Sequence, residues 1–275
     1  MRGVVLDEDG RPRLGELPGP ERPLRVLAVG LCGSDVEKIG AAPAGTVLGH
    51  EVVAQGEDGR RLALVHHLPC GECDRCAAGH ESTCERFAAP TIVPGGFAEA
   101  VEETDGIELP DGVSDELGTY LEPLACVLRG AERVPRGRVL VVGQGFVGAL
   151  FAAVLRHRGD DVYATDIRPE RAGREPDGAV NAAVLCAPAA PLEAVAPGGT
   201  VLVFSPAAPV DLELIYRREL TLAGSRSATP RHMEQALDLL PELELPAPTV
   251  LSLERFDEGL ALYRSGEALK VVFRP

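Results

Sequence analysis

The sequence predicts an α/β chain of two parts, a mostly β segment and a parallel sheet built from βαβ units. Three observations predict it. Short β-type runs broken by Gly and Pro fill residues 1 to about 110; a buried-strand run at Arg138 to Gly143 passes directly into a glycine-rich turn and a helix with one apolar face; and further strand-like runs then recur with short connections. A chain of 275 residues with 45% hydrophobic content can bury the cores of one large or two modest domains.

In the first part, Leu24 to Val29, Val47 to Ala54, Arg61 to His66 and Phe97 to Val101 read as strands. The same part holds most of the seven cysteines, and they do not scatter. Cys70, Cys73, Cys76 and Cys84 form C-x2-C-x2-C-x7-C, a spacing that lets successive thiolates converge on one tetrahedral ion, and they read as a closed, structural zinc site. Two disulfides are the competing reading, disfavoured by the odd cysteine total and by the opening MRGVVLDEDGRP, which is no apolar signal segment. Cys32, in Cys32-Gly33-Ser34-Asp35 upstream of Gly49-His50-Glu51, suits a site of mixed ligands with a position left open for water or substrate. Cys126 and Cys186 lie in apolar runs and read as small hydrophobes.

The pattern then changes. Ser114 can cap a helix whose first turn holds Asp115 and Glu116, and Leu117, Tyr120, Leu121, Leu124 and Leu128 repeat at helical spacing. Pro123 is expected to break or kink that helix beside Glu122, whose carboxylate there suits either a ligand or a solvated surface. Gly143, Gly145 and Gly148 make G-x-G-x-x-G around Phe146 and Val147, between a strand and a helix. That context suits a tight turn, close approach of backbone to a pyrophosphate, and a helix N-terminus to hold its charge. The strand Asp161 to Thr165 ends at Asp166, about 20 residues on, where a carboxylate can bond both ribose hydroxyls of NAD and repel a 2′-phosphate. Ala182 to Ala187, Thr200 to Phe204 and Leu220 to Ala223 read as further strands, and Phe256 to Ser265 and Leu269 to Phe273 as a last helix and strand.

A net charge of -15 argues against nucleic acid and anionic membrane as partners, because phosphate binding needs clustered Lys and Arg. No run is long and apolar enough to span a bilayer, so a soluble, cytoplasmic protein is expected.

Together Cys32-Gly33-Ser34-Asp35, Gly49-His50-Glu51, the Cys70 to Cys84 loop, Pro94-Gly95-Gly96-Phe97-Ala98-Glu99, Glu122-Pro123-Leu124-Ala125 and the Gly143 to Gly148 turn resemble the medium-chain, zinc-dependent alcohol dehydrogenase family, especially its polyol, sugar and threonine dehydrogenase branches. The resemblance implies a GroES-like, mostly β catalytic domain over residues 1–122 and 226–275, and a Rossmann doubly wound parallel sheet over 123–225. It implies Cys32, His50 and Glu51 as catalytic zinc ligands, Glu122 as a further ligand bound directly or in exchange with water, Ser34 as a proton relay, Asp35 as a residue orienting a ligand, and His67 as a pocket-lining histidine or a plain loop imidazole. His66, His80, His157 and His232 match nothing in the family and read as ordinary residues.

Three departures stand out. Glu37 replaces a frequent histidine, the interval from His50 to Cys70 is short, and Ile167 to Asn181 is too short for the helix, strand and helix usual there, so the sheet is expected to lack one βα unit. The implied activity is NAD-dependent oxidation of a secondary alcohol, a polyol, sugar or hydroxy-amino acid such as threonine, by a homodimer or homotetramer with two zinc ions per chain. Gly143, Gly145, Phe146, Val147, Gly148, Asp166 and Arg171 would meet the cofactor. A catalytically silent zinc- and nucleotide-binding scaffold is one alternative; an NADP-linked reductase, kept open by Arg168 and Arg171, is another.

Overall fold

The structure, a computed structural model, describes residues 1–87, 90–205 and 208–275. The chain forms two compact units: Met1–Pro123 with Ala228–Leu237 and Ala247–Pro275, and Leu124–Ser227 with Asp238–Pro246.

The first unit is built on a sheet ordered Thr249–Ser252, Val271–Arg274, Pro23–Gly30, Glu51–Gln55, Arg61–Leu64, Gly106–Glu108, with Ala100–Glu102 also paired to Pro23–Gly30. Pairing is antiparallel except between Thr249–Ser252 and Val271–Arg274. Leu24, Val26 and Ala28 alternate inward along Pro23–Gly30 while Arg25 faces out, the period-two pattern that fixes which face is buried. Behind them Phe97, Phe256 and Phe273 form the aromatic centre of the core, with ring centroids 5.0 to 5.8 Å apart.

Register in this sheet brings distant residues together. Gly30 pairs with Glu51 on one side and with Val272 on the other, so Cys32, His50, Glu51 and Lys270 all lie within two residues of one row of the sheet. The strand expected over Val47 to Ala54 begins only at Glu51. Gly49, at φ 95°, turns the chain out of the extended region, and the carbonyls of Leu48 and Gly49 accept N–H groups of Phe97 and Gly96. Phe97 and its neighbours are spent on that closure, which shortens the next expected strand to Ala100–Glu102. A hairpin of Arg2–Leu6 with Pro12–Glu16 has no counterpart in the sequence reading.

Ser114 accepts the Leu117 N–H and caps a short helix, Asp115–Gly118. The helix break falls at Thr119 and Tyr120, before Glu122 rather than at Pro123. Pro123 is the third residue of the next helix, Leu121–Ala131, in a first turn whose N–H groups have no intrahelical partner, so it neither breaks nor kinks it.

The second unit is a five-stranded parallel sheet ordered Thr221–Gly224, Val195–Val203, Val180–Leu185, Arg138–Val142, Asp161–Thr165. A doubly wound sheet would carry another strand beyond Asp161–Thr165; here the sheet stops. A stub replaces it: Gly173 N–H bonds the Ala164 carbonyl and Ala164 N–H bonds the Arg174 carbonyl, each at 3.1 Å. The Arg174 guanidinium pairs with Asp161 and lies 4.2 Å from the Tyr163 ring centroid, so the exposed edge is covered by a charged side chain.

Gly148 holds the glycine-rich turn against its helix. A Cβ on Gly148 would overlap the Gly143 carbonyl oxygen, so Gly148→Ala is expected to destabilise this unit by about 1–3 kcal/mol. Urea unfolding followed by circular dichroism measures this, and a variant as stable as the parent would sink the argument.

Candidate active site

Four sulfurs come together in the Cys70 to Cys84 loop. Cys73 lies 3.6 Å from Cys76 and 3.8 Å from Cys84, and Cys70 lies 4.0 Å from Cys76, sulfur to sulfur. A tetrahedron with about 2.3 Å metal–sulfur bonds has edges of about 3.8 Å. The four therefore fit a tetrahedral thiolate cage and are too far apart for disulfides; all seven cysteines are free. The N–H groups of Cys70 and Arg86 bond Cys84 Sγ, that of Cys73 bonds Cys70 Sγ, and the Arg86 guanidinium reaches Cys70 Sγ at 3.6 Å. Backbone N–H groups, first that of Glu72, pull the Cys70 thiol down to about 6, while burial and adjoining sulfurs push Cys76 up to about 12. The cage cannot hold four negative charges without a cation, and that is the property of a metal site.

A second set of ligand atoms comes from Cys32, His50 and Glu51, all within 4.8 Å of one another. Asp35 is the pivot beneath it. Its carboxylate accepts the N–H groups of Cys32 and Gly49 and meets His50 Nδ1 at 3.2 Å. Burial alone would push the His50 imidazolium down, but Asp35 and Cys32 outweigh it and hold it well above the ordinary histidine range. Burial would likewise raise Asp35, and His50 with the two backbone donors keeps it lowered. A sulfur, an imidazole and a carboxylate converging this closely in a largely buried place are a donor set suited to a cation, so these residues fit a bound zinc ion. Ser34 donates to Cys32 Sγ at 3.6 Å.

The sequence reading missed Lys270. Its ammonium pairs with Glu51 Oε2, and both side chains are 1% exposed. A Cβ on Gly30 would strike both partners, so glycine there makes room for the pair. One Glu51 oxygen is thus committed to Lys270. Glu122, buried, lies outside the cluster of three and borders a narrow cavity with His66, His67 and Thr229.

His66, read as an ordinary residue, sits in a row of rings. Its centroid is 4.9 Å from His50 and 4.0 Å from His67, which is 4.8 Å from Phe87. Burial pushes the His66 imidazolium down to about 3, helped by His50 and His67, and its buried Nδ1 has no hydrogen-bond partner.

In the second unit a cleft of about 440 Å³ is lined by Gly143, Gly145, Asp166, Ile167, Arg168 and Arg171 among others. Phe146, Val147 and Gly148 are not among its lining residues; they form the first turn of the helix Phe146–His157. Gly143 has φ 87°, which glycine alone adopts at no cost. Both Asp166 oxygens already accept backbone N–H groups, from Gln144 at 2.6 Å and Arg168 at 2.8 Å. Asp166 therefore shapes the turn as well as facing the cleft.

A GroES-like β unit with two sets of converged metal-ligand side chains and, in the same chain, a Rossmann sheet with a dinucleotide-type turn define a zinc-dependent dehydrogenase class of protein. Residues 21–110 match the alcohol dehydrogenase GroES-like domain family. D-altritol 5-dehydrogenase of Agrobacterium fabrum is 31% identical, over 87% of this chain and 88% of its own length. Sorbitol dehydrogenase of Halalkalibacterium halodurans is 28% identical, over 92% of this chain and 91% of its own. An alcohol dehydrogenase from a Thermus species superposes with a TM-score of 0.82 at 25% identity, covering 100% of both chains. The chain belongs to the medium-chain, zinc-dependent alcohol dehydrogenase family.

Proposed function

We propose that the protein oxidises a secondary alcohol, a polyol, sugar or hydroxy-amino acid such as threonine, with NAD as hydride acceptor and with zinc both for catalysis and for structure. The observation that carries this reading is the convergence of Cys32, His50 and Glu51 over Asp35. Residues 1–122 and 226–275 take the catalytic role and 123–225 the nucleotide role.

Bound zinc supplies a Lewis acid that acidifies the substrate hydroxyl. Bound NAD supplies the acceptor of the hydride. The chain does the rest. Asp35 fixes the ring of His50 through Nδ1, leaving Nε2 as the ligand atom, and Cys32 and Glu51 complete the set. Glu122 stands in reserve as a further ligand, Ser34 passes the released proton outward, and His67 lines the pocket. Cys70, Cys73, Cys76 and Cys84 hold the structural ion. The Gly143 to Gly148 turn offers backbone N–H groups to the pyrophosphate, and Asp166 meets the adenosine ribose.

Metal analysis with an NAD-reduction screen over polyols, aldoses and threonine tests the assignment. His50→Ala is expected to abolish turnover while the protein stays folded; full activity in that variant sinks it.

An NADP-linked reaction is the second reading, favoured by the two backbone bonds that occupy Asp166 and by Arg168 and Arg171 in the same cleft. Calorimetric titration separates the two. NAD is expected to bind more tightly than NADP, yet weakly for this fold because the wall after Asp166 is cut short, with Asp166→Ala narrowing the difference. Tighter NADP binding reverses the cofactor assignment.

Self-association through Thr221–Gly224 is supported by its position at the sheet end and by Leu212 and Tyr216, 73% and 82% exposed, on the preceding helix. Sedimentation gives the state, expected to be a dimer or tetramer. Seven free thiols suit a reducing cytoplasm. Among the described residues no helix is long and apolar enough to cross a membrane.

A further inference from the structure

Of the 27 basic residues only two are lysines, Lys38 and Lys270, and both lie at the Cys32–His50–Glu51 site. Lys270 is spent on Glu51. Lys38 ends the helix Gly33–Lys38 that begins beside Cys32, is exposed, and makes no ion pair among the described residues. It lines a cleft of about 500 Å³ in the first unit together with His50, His66, Pro43, Ile92 and Asp35, a volume suited to a small polar ligand.

The polar groups of this cleft are arranged for an anion with hydroxyls beside it. The Asp35 carboxylate, 1% exposed, already accepts the N–H groups of Cys32 and Gly49 and meets His50 Nδ1, so it is turned to its own partners rather than to a ligand. His66, on the wall of the cleft, carries a buried Nδ1 with no hydrogen-bond partner. No arginine lines the cleft, although arginine supplies almost all the positive charge of the chain. Arginine is the residue that grips phosphate in a fork, whereas one lysine ammonium is a single point charge matched by a single carboxylate.

We propose that this cleft takes a hydroxy acid, with the acid's carboxylate paired to Lys38, a hydroxyl bonded to His66 and the carbinol to be oxidised turned toward His50. The substrate class is then sugar acids of the aldonate type rather than neutral polyols or polyol phosphates. This rests on the dehydrogenase reading of the same site and adds the specificity-determining residue.

The test uses the zinc-loaded enzyme with a matched six-carbon set: a hexitol, the corresponding hexonate and the hexitol 1-phosphate. The hexonate is expected to exceed both others in kcat/KM by about thirtyfold, the size of one charge-assisted hydrogen bond. Lys38→Ala is expected to bring the hexonate-to-hexitol ratio to within about threefold of one, and Lys38→Arg to keep most of the preference. Calorimetry of hexonate binding without NAD gives a readout apart from turnover, expected to weaken at least about tenfold in Lys38→Ala and to fall with added salt. A preference for the hexitol or the phosphate, or a ratio unmoved by Lys38→Ala, overturns the inference. Oxidation of the hexitol with no binding of hexonate overturns it and leaves the dehydrogenase reading standing. Lys38-dependent hexonate binding with no reduction of NAD by any alcohol does the reverse.

Discussion

Cys73→Ser is expected to yield protein that is unfolded or aggregated, with the loss traceable to the Cys70 to Cys84 loop. Cys73 lies within 3.8 Å of both Cys76 and Cys84, sulfur to sulfur, and it is buried. The loop has little else to order it. Its helical pieces are one turn each, Asp74–Ala77 and Glu81–Thr83, and no residue of either is buried. Ion binding must supply the folding free energy there, and for structural zinc it is about 10–16 kcal/mol in small zinc-finger peptides at neutral pH. The measurement is recovery of soluble protein and its thermal transition, for the variant and for the parent treated with a strong chelator. A Cys73→Ser protein as stable as the parent would remove the structural role from the loop.

With no ion at the Cys32–His50–Glu51 site, Lys270→Met should be the costliest single change in the first unit outside that loop, at about 3–5 kcal/mol, because it strands the Glu51 carboxylate in a buried row of the sheet; an ion bound there would lower that cost. The loss belongs to the orphaned charge rather than to the pair. Lys270→Met combined with Glu51→Gln is therefore expected to recover much of it, since a buried ion pair and a neutral replacement differ little in net stability. Denaturant midpoints of the parent, both single variants and the double variant form the test. A single variant within about 1 kcal/mol of the parent would show that water reaches Glu51, contrary to its burial.

What the sequence could reveal follows from the range over which each feature is specified. Cys70 to Cys84 and Gly143 to Gly148 are short-range patterns whose geometry is set within a few residues, and both converge as their spacing requires. The missing βα unit was legible from length alone, because Ile167 to Asn181 cannot hold a helix, strand and helix, and the sheet ends at Asp161–Thr165. The stub at Gly173 and Arg174 that covers that edge has no sequence signature. Lys270 was invisible for another reason: 219 residues separate it from Glu51, and only sheet register joins them. His66 carries no pattern beyond standing next to His67, and its contact with His50 depends on a turn at Gly49 that propensity does not foresee. Pro123 misled because a proline in a first helical turn and a proline inside a helix read alike until the start of the helix is known.

The scarcity of lysine gives the molecule an unusual covalent chemistry. Reagents that acylate primary amines meet few targets, since Lys270 is 1% exposed and the N-terminal amine donates to the Leu17 carbonyl and has Glu16 3.8 Å away. Lys38 is the one exposed lysine, at the rim of the cleft beside His50. A fluorophore or cross-linker delivered as an activated ester would therefore collect at one place, without any engineered cysteine among the seven already present. A lysine-specific protease acting on the native fold would have one reachable peptide bond, between Lys38 and Ile39, and a ligand seated in the cleft would shield it.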